Sequence, residues 1–135
     1  MACAASAGVP LTHRDHAQSV TFASGVVKKD GPDADYRALS APNSTSVFYM
    51  GVGAAPEIQR KLIDAGRDAA TPLALIENGT HDTERRVFGT LGELAELVTR
   101  HAITGPTIIM VGESIAIAAA HASTTDTQTL LEQSA

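Results

Sequence analysis

The chain contains no tryptophan, two tyrosines, three phenylalanines and a single cysteine among its 135 residues. One cysteine, Cys3, excludes an internal disulfide and a cysteine-built zinc site, and such usage fits a reducing compartment. With aromatics at 4%, an aromatic cage is a poor expectation, so a ligand would be gripped by backbone groups and aliphatic side chains. No apolar run approaches the roughly 20 residues of a membrane helix, and no basic-then-apolar leader opens the chain. The expectation is a cytoplasmic protein with no membrane partner. Lysine and arginine total 10 against 15 acidic residues, for a net charge of -5. They are scattered, which argues against a polyanion surface and hence against nucleic acid as partner.

What is present is apolar: 44% of the residues are hydrophobic, enough for one compact domain that buries somewhat under about 70% of its unfolded surface without a metal or disulfide. Eleven glycines and six prolines imply short elements joined by tight turns. SVTFA (19–23) alternates and reads as a strand, followed by the solvated loop KKDGP (28–32) and a short helix over 34–39. SVFYM (46–50) is a second strand that stops at Gly51-Val52-Gly53. A helix follows from Pro56, with Glu57 in its first turn, Ile58, Leu62 and Ala65 on one face, and Gly66 after its last turn. PLALIE (72–77) is continuously apolar, as expected of a strand covered on both faces. RRVFG (85–89) is a shorter strand. Thr90 and Glu93 stand at capping-box spacing before a helix whose apolar face is Leu94, Leu97 and Val98, and TIIMV (107–111) is the last strand. Strands alternating with helices predict a single α/β domain with a mixed, about five-stranded sheet flanked by helices over 1–117. Residues 118–135, Ala-rich then polar, are expected to form a short helix or a disordered tail.

In an open α/β sheet, ligands bind at the carboxyl ends of the strands, which directs attention to the turns after Met50 and after Glu77. Both contain glycine, which lets a ligand approach the main chain. Gly51-Val52-Gly53 lacks the third glycine of a dinucleotide fingerprint and the Lys-Ser/Thr of a P-loop, leaving a structural turn and a ligand loop equally weighted. Glu77 and Asn78 read as a capping and turn pair. His13, Arg14, Asp15 and His16 crowd one segment, but consecutive ligands do not converge on one ion, so no metal is expected. A polar loop bonded to backbone outweighs direct catalysis there. Neither Ser19 nor Ser24 sits in a nucleophile motif; no catalytic side chain is assigned.

Four segments, AGVPLTHRDHAQSVTFASG (7–25), VFYMGV (47–52), PLALIENGT with RRVFGTLGEL (72–80, 85–94) and GPTIIMVGE (105–113), occur in an order and spacing that resemble the tetrapyrrole methylase family, within it the uroporphyrinogen-III C-methyltransferases. The similarity covers roughly residues 3–117. One departure is Val26, where many members carry histidine. The resemblance implies two α/β domains with S-adenosylmethionine, the methyl donor, folded into the cleft between them, commonly in a homodimer. It implies methylation of the tetrapyrrole uroporphyrinogen III at carbons 2 and 7 to precorrin-2, on the way to sirohaem or cobalamin. The chain would be the C-terminal domain only, missing the N-terminal methylase domain with its glycine- and proline-rich loop, and inactive alone. Carried over by position, Met50 and Gly79 would bind the cofactor through their main chain. Arg14 would place a substrate carboxylate, or else pair with Asp15 or another acid. Other positive charge in this acidic half comes from Lys28, Lys29, Arg85 and Arg86. The alternative functions are a free-standing, non-catalytic binding or dimerisation module, or a related methylase for another precorrin.

Overall fold

The structure, a computed structural model, describes residues 19–25, 35–49, 51–117, 119 and 120. Five strands form one sheet: β1 (Ser19–Ser24), β2 (Ser44–Tyr49), β3 (Pro72–Glu77), β4 (Arg85–Thr90) and β5 (Thr107–Val111), in the order β1-β2-β5-β3-β4. Only β1 and β2 pair in parallel; β5 runs antiparallel to both β2 and β3, and β4 antiparallel to β3. The sheet is therefore mixed, as the alternation of elements suggests. Strands β1, β2 and β3 end at the edge where β4 and β5 begin. The turns after β2 and β3 share that edge but are not neighbours, because β5 lies between them.

Alternation along the strands divides the core in two. Phe48, Leu73, Leu75, Ile109 and Val111 face the helices α2 (Ala55–Asp64) and α3 (Leu94–Arg100) and meet Ile58, Leu62, Leu94 and Leu97. Val47, Ala74, Ile76 and Met110 point the other way and pack with Ile115. PLALIE is thus buried on both faces, which is why it carries no polar residue before Glu77. Full burial of a leucine or isoleucine stabilises by about 1.5–3 kcal/mol, so these two layers supply the main favourable term.

A short helix α1 (Tyr36–Leu39) is capped by Asp35, whose side chain accepts from the Ala38 amide. Helix α2 has Pro56 and Glu57 in its first turn. It closes with Gly66 at φ +107, the Gly66 amide bonding Ile63 O and the Arg67 amide bonding Leu62 O. That paired arrangement is the one a left-handed glycine permits after a last turn. Ala65 is not on the buried face: it is the exposed C-cap, and Ala55 joins Ile58 and Leu62 inside.

The capping box expected at Thr90 and Glu93 is not formed. A 3-10 turn, Leu91–Glu93, intervenes, Thr90 Oγ1 bonds the Glu93 carboxylate itself, and α3 starts one turn later. Tertiary contacts decide this. The Leu91 and Gly92 amides bond Thr71 O and Ala69 O, and Gln59 of α2 accepts from the Ala95 amide at 2.9 Å, standing in for a local cap. Residues 115–117, 119 and 120 are helical, and the rest of the segment expected to form a short helix or a disordered tail lies outside the described residues.

Candidate functional site

The described part of the carboxyl edge of β2 and β3 holds a hollow of about 250 Å³. Its floor is Ile76 and Ile108, which stand opposite one another in the β3–β5 ladder, with Tyr49 beyond Ile108 in the β2–β5 ladder. Asn78, Gly79 and His81 of the β3–β4 turn form one wall; Pro106 and Thr107 at the start of β5 form the other. The ends of β2 and β3 lie two strand spacings, about 9–10 Å, apart with the start of β5 between them. Among the described residues its lining is apolar side chains and uncharged or histidine polar groups.

The β3–β4 turn is held at both ends. The Asn78 amide bonds Pro106 O at 2.8 Å, the His81 amide bonds Asn78 O, and the Thr80 amide bonds Glu84 Oε1. Asn78 and Thr80 occupy the left-handed region at φ 53 and 70. Gly79, between them, is half-buried, and neither its amide nor its carbonyl has a hydrogen-bond partner among the described residues. The turn thus satisfies its flanks and leaves the peptide groups of Gly79, which lines the hollow, without a partner among the described residues.

Glu77 underlies the turn. Its carboxylate is buried, with Oε1 accepting from Arg85 Nε at 2.7 Å and Oε2 from the amides of Thr104 and Gly105 at 2.8 and 3.0 Å. The Arg85 bond foremost, then the Gly105 amide, hold its pKa down at about 2 against the opposing effect of burial. Arg85 in turn donates to His101 O and Ala102 O. One carboxylate thus ties the end of β3, the β4 start and the loop entering β5. Sequence reading placed Glu77 in a capping and turn pair but had no signal for this hub, whose partners lie 8, 27 and 28 positions away.

Of the residues singled out by sequence, Gly79 lines the hollow. Met50 and Arg14 lie outside the described residues, as do Lys28, Lys29 and the His13–His16 cluster; Tyr49, the residue before Met50, does line it. Gly51 turns out to pack: a Cβ there would fall 2.9 Å from Ile109 Cδ1 and 3.0 Å from Ile58 Cδ1. Gly51-Val52-Gly53 supplies no residue to the hollow, which favours the structural turn of the two readings. Arg85 and Arg86 are engaged by Glu77 and Glu84, so they are not a free positive surface for a polyanionic substrate. Among the described residues no cluster of histidine, cysteine or carboxylate groups could hold a metal ion, and no helix is long and apolar enough to cross a membrane.

Comparison with known proteins gives this geometry a family. The chain is 50% identical over 111 residues to the siroheme synthase of Pseudoalteromonas translucida, covering 82% of this chain and 24% of that protein. It is 49% identical over 113 residues to the siroheme synthase of Pseudomonas paraeruginosa, again covering 24% of it. The chain therefore spans about a quarter of the length of these curated relatives. Among solved structures, the uroporphyrin-III C-methyl transferase of Thermus thermophilus, complexed with S-adenyl homocysteine, superposes with a TM-score of 0.71 at 33% identity, over 83% of this chain and 47% of that one. A cobalt precorrin-4 methyltransferase shares the fold, with a TM-score of 0.74 at 21% identity over 84% of this chain and 48% of that one. Residues 1–95 match the family described as Tetrapyrrole (Corrin/Porphyrin) Methylases. The chain belongs to the tetrapyrrole methylase family, a family of methyltransferases.

Proposed function

We propose that this chain is the C-terminal half of an S-adenosylmethionine-dependent uroporphyrinogen-III C-methyltransferase, that it supplies one wall of the cofactor cleft, and that it is inactive without a preceding methylase domain. The observation that carries the reading is the unpartnered main chain of Gly79 at a hollow between the ends of β2 and β3. Adenosine is recognised by peptide donors and acceptors placed beside apolar surface, and both are present: the peptide groups of Gly79 on one side, Ile76, Ile108 and Tyr49 beneath. The volume supports a half-site. Complete small-molecule sites run to about 300–1,000 Å³, whereas this hollow takes a nucleoside fragment and leaves the rest to another wall.

In this reading Gly79, and Met50 by its position after Tyr49, hold the adenosine portion through their peptide groups. When bound, S-adenosylmethionine supplies a methyl group on a sulfonium that is already a good leaving group. The residues of the hollow then orient and exclude water; none of them has to move a proton. The carboxylates of uroporphyrinogen III are held elsewhere, with Arg14 the residue of this chain assigned to one of them. The homodimer belongs to the same reading. The stacked pair Phe22 and Tyr49, ring centroids 6.0 Å apart and both exposed, lies at this edge where an added domain or subunit would cover it.

The test has two steps. Titration of the chain with S-adenosylhomocysteine, followed by amide NMR, should shift Gly79 and Thr107 with weak, saturable affinity; no shift overturns the cofactor assignment, and tight binding overturns the half-site. Joined behind the preceding domain of a siroheme synthase relative, the chain should yield dimethylated product from uroporphyrinogen III. Failure there with cofactor binding intact would favour a non-catalytic module or a methylase for another precorrin.

A further inference from the structure

The backbone of Asn78 is fully used and its side chain is not. The amide donates to Pro106 O and the carbonyl accepts from His81, while the carboxamide, which lines the hollow, has no hydrogen-bond partner among the described residues. Its position is set by two features. Residue 78 sits at φ 53, a conformation asparagine tolerates better than most residues. The carboxamide also lies across Gly105, where a Cβ would come within 2.5 Å of Oδ1, 3.1 Å of Cγ and 3.2 Å of Nδ2. Absence of a side chain at 105 is thus what makes room for it. The carboxamide of this half-buried residue thus stands at the hollow with its donor and acceptor reachable by water, and a ligand that displaces that water must replace its hydrogen bonds.

Building on the cofactor reading above, we propose that the Asn78 carboxamide reads the edge of the adenine ring, pairing with the exocyclic amine and an adjacent ring nitrogen. A carboxamide presents one donor and one acceptor side by side, which is the complement of that edge. The main chain of Gly79 then grips the nucleoside and Asn78 makes the choice of base. Among the described residues that line the hollow it is the only carboxamide.

The experiment is a cycle between protein and ligand. S-adenosylhomocysteine and its analogue lacking the 6-amino group are titrated into the chain and into Asn78→Gly, which keeps the left-handed backbone, with Asn78→Asp as a second variant that keeps the shape and loses the donor. The natural residue should prefer the amino ligand by about fivefold to tenfold, the effect of one to two net hydrogen bonds. Asn78→Gly should bind the two ligands within about twofold of each other, and Asn78→Asp should weaken the amino ligand. A purely structural role for Asn78 would leave the ratio between ligands unchanged. If the amino ligand binds and shifts Gly79 but the preference is the same in all three proteins, base reading by Asn78 is overturned and the cofactor site stands. If neither ligand binds the unaltered chain, both fail together.

Discussion

Glu77 and Arg85 face each other across the β3–β4 ladder with Oε1 and Nε 2.7 Å apart, and the other carboxylate oxygen closes on two amides of the loop that enters β5. The rim of the hollow is therefore built on one ionised group. Glu77 holds Thr104 and Gly105, which lead into Pro106, and Pro106 in turn accepts from the Asn78 amide.

The sign of its pH dependence follows. The native carboxyl lies at about 2 against an ordinary value of 4.5, so its contribution to stability is complete above 4.5 and is lost as pH falls toward 2. Glu77→Gln should flatten the pH dependence of urea unfolding in that window relative to the unaltered chain. At neutral pH, Glu77→Ala should cost about 2 kcal/mol, since two amides and a guanidinium lose their acceptor. Parallel pH profiles for the glutamate and glutamine proteins would refute the assignment.

Gly105 should be separable from stability. Its φ is not in the left-handed region, and the atoms a Cβ would meet belong to the end of the Asn78 side chain. Gly105→Ala should thus change the unfolding free energy by less than about 1 kcal/mol while pushing the carboxamide aside and weakening S-adenosylhomocysteine binding. Calorimetric titration beside a denaturation curve measures both; unchanged affinity would count against the role given to Asn78.

At the other glycine loop the expectation reverses. Gly51→Ala forces a methyl between Ile109 and Ile58, both buried, and should destabilise by about 1–3 kcal/mol. Gly53→Ala has open space and should be nearly silent. Equal effects in chemical denaturation would mean that the loop does not pack as described.

Arg67 offers a fourth check. Its side chain is 3% exposed, donates to Ser44 O and Glu113 at 3.1 Å and also to Ala41 O, and so fastens the start of β2 to the segment after β5. Arg67→Met should cost about 3 kcal/mol by stripping those acceptors. Glu113→Gln, at a carboxylate 43% exposed, should cost under about 1 kcal/mol. A thermal-denaturation pair in which the glutamine variant suffers more would overturn the view that the arginine's contacts to backbone dominate.

The strands β1 to β5 and the helices α1, α2 and α3 were legible in the chain through local signatures: alternation in SVTFA, unbroken apolarity in PLALIE and TIIMV, Pro56 and Gly66 around α2. Gly79 was singled out through the family's ENGT segment together with the rule that ligands sit at strand ends, and it lines the hollow. Local pattern misled at Thr90, where the right residues for a cap stand at the right spacing, yet Gln59 from another helix takes the amide. It was silent on Asn78, since nothing in ENGT tells whether a carboxamide is spent on its own turn or left for a ligand.

By itself the order of residues determined which stretches become strands, where helices stop and which family the chain joins, for these depend on periodicity, turn chemistry and matched segments within a few residues of one another. Only tertiary structure decided that β5 enters between β2 and β3, that Tyr49, Ile108 and Ile76 of these three strands line one hollow, and that Glu77 ties separated segments beside it. Such contacts join residues far apart in the chain, and their energy comes from a pairing of strands and a burial of charge that no local window contains.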